Sequence, residues 1–262
     1  MLELTIRGFG TQMITVRVGK DNQTQDFAIY ETLIRKSSTF VDNALKGSWR
    51  ESTDRVVTLP EFDCMYFGIY HQWLLTGKLH SKMDPKVLDE SYRRYKEMNS
   101  DAIFNPEEYA LLNELVYLEM LSHLGHYLLD TNFMDTVSDA MIQIAKEFRS
   151  HGCIFSRPTA SFIYDVIPEG SPTRSLVADL VAWTATWQQI RLLRVDRTGE
   201  KVESHPDFIS DVLQALALKH ISPQTSISPL LMDETSCKYH SHGDEKPCYR
   251  KKKAEKYVTA AI

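Results

Sequence analysis

Between Met13 and Val18, the apolar residues Ile14, Val16 and Val18 alternate with Thr15 and Arg17. A period of two predicts a strand with one apolar face. Phe27 and Ile29 repeat the alternation after a polar, turn-like stretch at 19–25, so the two runs predict a hairpin with a long loop. The period then changes. Leu33, Ser37, Phe40, Val41 and Ala44 fall at helical spacing over one or two short helices, with Ser37 or Ser38 as a cap and Gly47 at the end. RVVTLP, at 55–60, predicts a third strand stopped by Pro60. Asp63 then caps a helix whose inward face is Phe67, Tyr70 and Leu74, with Gly77 at its end.

Residues 80–108 are charged, mixed in sign and poor in apolar residues, which predicts an inserted, mobile loop with at most a turn or two of helix. From about Glu107 the pattern is helical throughout. Leu111, Leu115, Leu118, Leu121, Leu124 and Leu128 mark a long helix, broken at 130–132. Phe133, Val137, Ala140, Met141 and Ile144 mark the next, running to about Arg149. ASFIYDVI is a short apolar segment. Ser171 and Pro172 start another helix carrying Leu176, Leu180, Trp183 and Trp187 on one face. A last helix from Pro206 turns Ile209, Val212, Leu213 and Leu216 inward. From Ser222 the chain is rich in Ser, Pro and charge and reads as a disordered tail. Few strands followed by helices alone predict an α+β fold, a small three-stranded sheet capped by a helical cluster and followed by a helical C-terminal extension. The division is 11–150 with its insertion at 80–108, then 151–221, then the tail 222–262.

Composition changes this picture little. The 262 residues suffice for a substantial core, and charged residues make up 25% of them. A net charge of -5 gives no global attraction to nucleic acid. No signal-like apolar run opens the sequence, and no stretch reaches the roughly 18 apolar residues of a membrane span. Four scattered cysteines fit a reducing compartment, the nucleus or cytoplasm.

One order of motifs is specific where its parts are not. Val-x-Val-Gly at 16–19, Ser-Ser-x-Phe at 37–40, Gly-x-aromatic-x-Glu-Ser at 47–52, Val-x-Leu-Pro at 57–60 and Trp-Leu-x-Thr-Gly at 73–77 follow one another over about 65 residues. This series resembles the BTB/POZ domain, and YDVIPEGSPTRSLVADLVAW is similar to the helical extension of many fungal members. The resemblance implies a protein-interaction module without catalysis. Such a module acts as adaptor or scaffold, as a substrate adaptor that docks a cullin in a ubiquitin ligase, or as a nuclear regulator working through partners. Trp49-Arg50-Glu51 occupies the hydrophobic-x-Glu element of cullin-binding members, so Trp49 and Glu51 are the candidate partner-binding residues. An aromatic anchor beside a carboxylate suits such a hot spot; the alternative is a ring folded back on its own domain. The charge pair of homodimerising members is replaced by Met13 and Glu31, and two Glu31 carboxylates facing each other without a cation would disfavour that homodimer.

Enzyme signatures are missing from the sequence: no phosphate-binding glycine loop, no His-Glu-x-x-His, no Gly-x-Ser-x-Gly. His123, His126 and Asp130 share helical spacing that could hold a metal, though packed histidines have the same pattern. In the tail, Cys237, His240, His242 and Cys248 form C-x2-H-x-H-x5-C, a donor set suited to tetrahedral zinc in a spacing unlike any standard finger. Chance ligands in a disordered tail remain the alternative there. Arg250 to Lys253 is a short basic run, readable as a nuclear import signal or as solvated charge.

Overall fold

The computed structural model describes residues 10–47, 49–98, 104–148, 157–186, 190, 204–222, 227–233, 236–243 and 246–251. It is α+β, with one small sheet among many helices. The chain divides into two compact units: residues 1–80 with 124–133, and residues 81–123 with 134–262.

The first unit holds the sheet. Strands β1 (Met13–Val18), β2 (Gln25–Tyr30) and β3 (Val56–Leu59) lie in the order β2-β1-β3. β1 runs antiparallel to β2, with Val16 opposite Phe27, and parallel to β3, with Val16 opposite Val57. Alternation decides which face is inward: Ile14, Val16, Val18, Ile29, Val57 and Leu59 are essentially buried. On the other face Arg17 sits opposite Asp26 and donates to it at 2.8 Å. The predicted hairpin loop contains a short 3-10 turn at Asp21–Gln23. Gly19 is obligatory before it. Its φ is +91°, and a Cβ there would stand 2.5 Å from the Gln23 carbonyl oxygen.

Helices α1 (Glu31–Ser37) and α2 (Thr39–Ala44) are separate because Ser38 is extended and caps α2, accepting from Val41 N–H at 3.1 Å. A short helix α3 (Arg50–Asp54) replaces the expected irregular connection, and Arg55 follows it in the left-handed region at φ 58°. Helix α4 (Cys64–Thr76) starts on Asp63, whose carboxylate accepts from Met65 N–H at 2.7 Å, and ends on Gly77 at φ 67°. Its Tyr70 and Trp73 pack on Phe133 with ring centroids 4.9 Å apart in both pairs.

Glu31 corrects the sequence reading. It is a buried residue, and its carboxylate accepts from Arg35 at 2.9 Å and from Arg55. Burial alone would raise its pKa, but the two guanidiniums outweigh it and hold the carboxyl below its usual value. The cations missing from the motif comparison are therefore supplied within the chain, and an unpaired Glu31 gives no argument against a homodimer. Met13 is half exposed. Glu31→Ala is expected to cost about 1–3 kcal/mol, as the loss of one partner of a part-buried ion pair. Urea unfolding of the two proteins checks this; an unchanged midpoint would show that the network contributes nothing.

The second unit is helical. Residues 80–108 are more ordered than their composition implied: helix α5 spans Pro85–Met98. It has no buried residue, yet Tyr95 stacks on Tyr109, Tyr92 packs against the same ring at a tilt, and Ser91 shares a hydrogen bond with the Tyr109 hydroxyl at 2.7 Å. Helix α6 (Pro106–Leu128) opens on a reciprocal capping box. Asn105 Oδ1 accepts from Glu108 N–H at 2.9 Å, and Glu108 accepts from Asn105 N–H at 3.0 Å. Helix α7 (Thr131–Phe148) follows; residues 124–133, at the junction of α6 and α7, belong to the first unit. Then come α8 (Arg157–Val166), α9 (Pro172–Thr184) and α10 (Pro206–Ile221). Ser171 caps α9 with Pro172 in its first turn, as the sequence indicates. Buried Arg174 closes the end of α8, donating to the carbonyls of Ile167 at 2.6 Å and Tyr164 at 2.5 Å. Leu213, expected inward on α10, is exposed. Trp187, Arg149, Lys252 and Lys253 lie outside the described residues.

The described parts of the tail are ordered, where its composition predicted disorder. A 3-10 turn spans Pro229–Leu231, and Tyr239, His240 and Cys248 are buried. Tyr239 donates its hydroxyl to Asp179 of α9 at 2.6 Å, and Lys238 Nζ donates to the same carboxylate at 2.7 Å. The tail's apolar residues are few, so tertiary anchors rather than its own composition order these segments.

Candidate metal centre

Four tail residues converge. One donor atom each from Cys237, His240, His242 and Cys248 lies within 4.8 Å of every other. His240 and Cys248 are buried, Cys237 and His242 half-buried. The local chain explains part of this. His240 N–H donates to the Cys237 carbonyl at 3.0 Å, a turn that brings the first cysteine back on the first histidine. Gly243 then takes φ 62°, and Cys248 returns with its sulfur 3.6 Å from His240 Nδ1.

Groups outside the motif set the orientation of both imidazoles. His240 Nε2 lies 3.0 Å from Asp139 Oδ1. Burial raises the pKa of Asp139, but hydrogen bonds from His240 and Tyr249 and the charges of His240 and Arg250 bring it below the usual carboxylate value. An ionised Asp139 only accepts, so His240 donates from Nε2 and turns Nδ1 toward Cys248. His242 Nδ1 faces the Gly243 carbonyl, which also only accepts. Its proton is therefore on Nδ1, and its Nε2 is buried with no hydrogen-bond partner. Each ring thus turns its second nitrogen toward the cluster, the arrangement by which a carboxylate or carbonyl holds a metal-ligating histidine.

Asp139 is fixed in turn. Arg250 Nε donates to its Oδ2 at 2.8 Å, Arg250 also donates to Oδ1, and the Tyr249 hydroxyl donates to Oδ2. Arg250 reaches the Ser236 carbonyl as well, at 3.1 Å. The first residue of the basic run therefore serves this centre. Burial and the neighbouring Cys248 raise the pKa of the Cys237 thiol. Cys237 also lines an open cavity of about 610 Å3 together with Ile142, Lys146, Met232 and Tyr239, a route by which an ion could enter. These four residues could hold a metal ion.

The other candidates fare differently. Asp130 is committed to capping α7, and among the described residues His123, His126 and Asp130 do not form a comparable group. His123 sits edge-on to Phe162, with burial lowering its pKa. In the first unit, Trp49 is 70% exposed, so its ring is not folded into the core. Its carbonyl does the local structural work, accepting from Ser52 and Thr53 at the start of α3. Glu51, in the first turn of α3, is half-buried.

Sequence reasoning missed Asp135 and Asp139. Both lie on α7, four residues apart beside its apolar face. A pair of acids at that spacing next to buried Val137 and Met141 was the available signal.

Among the described residues no helix is long and apolar enough to cross a membrane. No family model, no curated protein and no solved structure matches the chain.

Proposed function

We propose that this chain is a protein-interaction module whose C-terminal segment is pinned to its helical unit by a structural zinc ion. The observation that carries the zinc reading is the cluster of two thiols and two correctly oriented imidazoles with one buried, unpartnered nitrogen. Sulfur and imidazole donors in a set of four suit Zn2+, whose filled d shell imposes no other geometry. With its ligands supplied by the protein alone, the ion's role is to hold structure rather than to activate water. Elemental analysis of protein purified without chelators tests this. One zinc per chain is expected, and its absence from such a preparation overturns the reading.

A second observation favours a docking role for the first unit. The motifs that carry the resemblance to a BTB/POZ domain lie at element boundaries, which supports this reading: β1 runs into Gly19, Ser38 caps α2, β3 ends at Leu59 before Pro60, and α4 ends at Thr76 before Gly77. Trp49 stands out from this frame, and leaving so large a ring in water forgoes about 1.5–3 kcal/mol of burial that a partner could supply. On this reading the unit is a scaffold or adaptor that docks a cullin or a transcriptional partner through Trp49 and Glu51. Pull-down with a cullin, parent against Trp49→Ala/Glu51→Ala, is expected to lose most of the bound partner in the variant. Equal recovery refutes the adaptor version. The nuclear-regulator version draws on residues 250–253, of which Arg250 is already bound to Asp139.

A further inference from the structure

The carboxylate of Asp135 has one oxygen that the four-ligand set does not explain. Asp135 is fully buried on α7. Its Oδ1 accepts from Ser241 N–H at 2.5 Å, inside the Cys/His loop. Its Oδ2 is buried, has no hydrogen-bond partner, and lies 3.9 Å from His240 Nδ1, the nitrogen that faces the Cys248 sulfur. A buried carboxylate oxygen without a donor is costly, and is found where a cation or donor meets it. Arg250 is engaged by Asp139. Asp135 thus presents a buried, unpartnered carboxylate oxygen beside the His240 nitrogen that faces the Cys248 sulfur.

We infer that Asp135 is a fifth ligand of the metal, through Oδ2. This inference rests on the zinc reading and changes what the ion does. Cys237, His240, His242 and Cys248 alone would close only a short loop within the tail. Asp135 lies more than a hundred residues earlier on α7, so its coordination makes the ion a direct bond between that helix and the tail. This accounts for order in a segment whose composition does not support it. Asp139 plays a different part: it positions the His240 ring through Nε2 and does not reach the metal.

The test uses the full chain loaded with Co2+ in place of Zn2+. Five-coordinate cobalt gives weak visible d–d bands, and tetrahedral cobalt gives intense ones. The parent protein is expected to show the weak pattern, and Asp135→Asn the intense one with at least about a 10-fold loss of Zn2+ affinity. Asp139→Asn is expected to lose about 10- to 100-fold in affinity while keeping the parent spectrum, as an outer-shell change should. X-ray absorption of the zinc-loaded parent alone should fit two sulfur and three light scatterers, so the proposal stays testable if a variant does not fold. A parent that binds the ion with a tetrahedral spectrum or two light scatterers overturns the Asp135 assignment and leaves the four-ligand site standing. A parent that binds neither Co2+ nor Zn2+ overturns both.

Discussion

Cys248→Ser is expected to abolish stoichiometric zinc and to release residues 236–251 from the helical unit. Cys248 is buried with its sulfur against His240 Nδ1, and a serine hydroxyl is a poor substitute for thiolate on this ion. An ion present at a thousand times its dissociation constant stabilises what it binds by about 4 kcal/mol, and that contribution vanishes with the site. The remaining anchors of the segment are hydrogen bonds and ion pairs: Tyr239 and Lys238 on Asp179, and Arg250 and Tyr249 on Asp139. Part-exposed contacts of this kind contribute roughly 1 kcal/mol or less apiece. Limited trypsinolysis reads the outcome directly, because Lys238, Arg250 and Lys251 all lie within the segment and none precedes a proline. Rapid cleavage there is expected in Cys248→Ser and in chelator-treated parent, with slow cleavage in the zinc-loaded parent. Equal protection in all three would show that the metal does not hold the segment.

Asp130→Ala is expected to destabilise the first unit by about 3 kcal/mol at neutral pH. The Asp130 side chain is a hub. It caps α7 by accepting from Phe133 N–H at 3.0 Å, accepts from Tyr70 on α4 at 3.0 Å, and accepts from Ser37 of α1. Alanine removes the cap and leaves the buried Tyr70 hydroxyl without its acceptor. Burial raises the Asp130 pKa to about 6, against hydrogen bonds from Ser37, Phe133, Tyr70 and Asn132 that lower it. The folded chain therefore holds a proton that the unfolded chain, with an ordinary value of 3.8, has lost across that window. Stability from this group falls as pH rises from about 4 to 6 and is regained on acidification. The cost of Asp130→Ala should thus be larger at about pH 4.5 than at pH 7, by roughly 2 kcal/mol. Urea unfolding of both proteins at the two pH values measures it. A cost that shrinks in acid would contradict a buried, charge-penalised carboxylate.

Much of the first unit can be read without coordinates. The alternation at Ile14, Val16 and Val18, the caps at Ser38 and Asp63, and the glycine at 77 each act through the residue itself and its close neighbours. What the pattern hides is partnership. Glu31 looks like a lone surface acid in its motif, and only folding brings Arg55 to it across 24 positions. Helix α5 is masked by its charge, although Leu88, Tyr92 and Tyr95 already mark one face at helical spacing; its order comes from Tyr109 on another helix.

The metal centre divides in the same way. The amino-acid sequence by itself determines four donors of the kind zinc prefers, close enough along the chain for one loop to gather them. Which nitrogen of each ring is free, which carboxylates stand behind them, and whether the segment is ordered at all were decided only when α7 brought Asp135 and Asp139 against the loop. Ligand chemistry belongs to a side chain wherever it stands. Desolvation, proton position and charge balance belong to what surrounds it, and that exists only after the chain has packed.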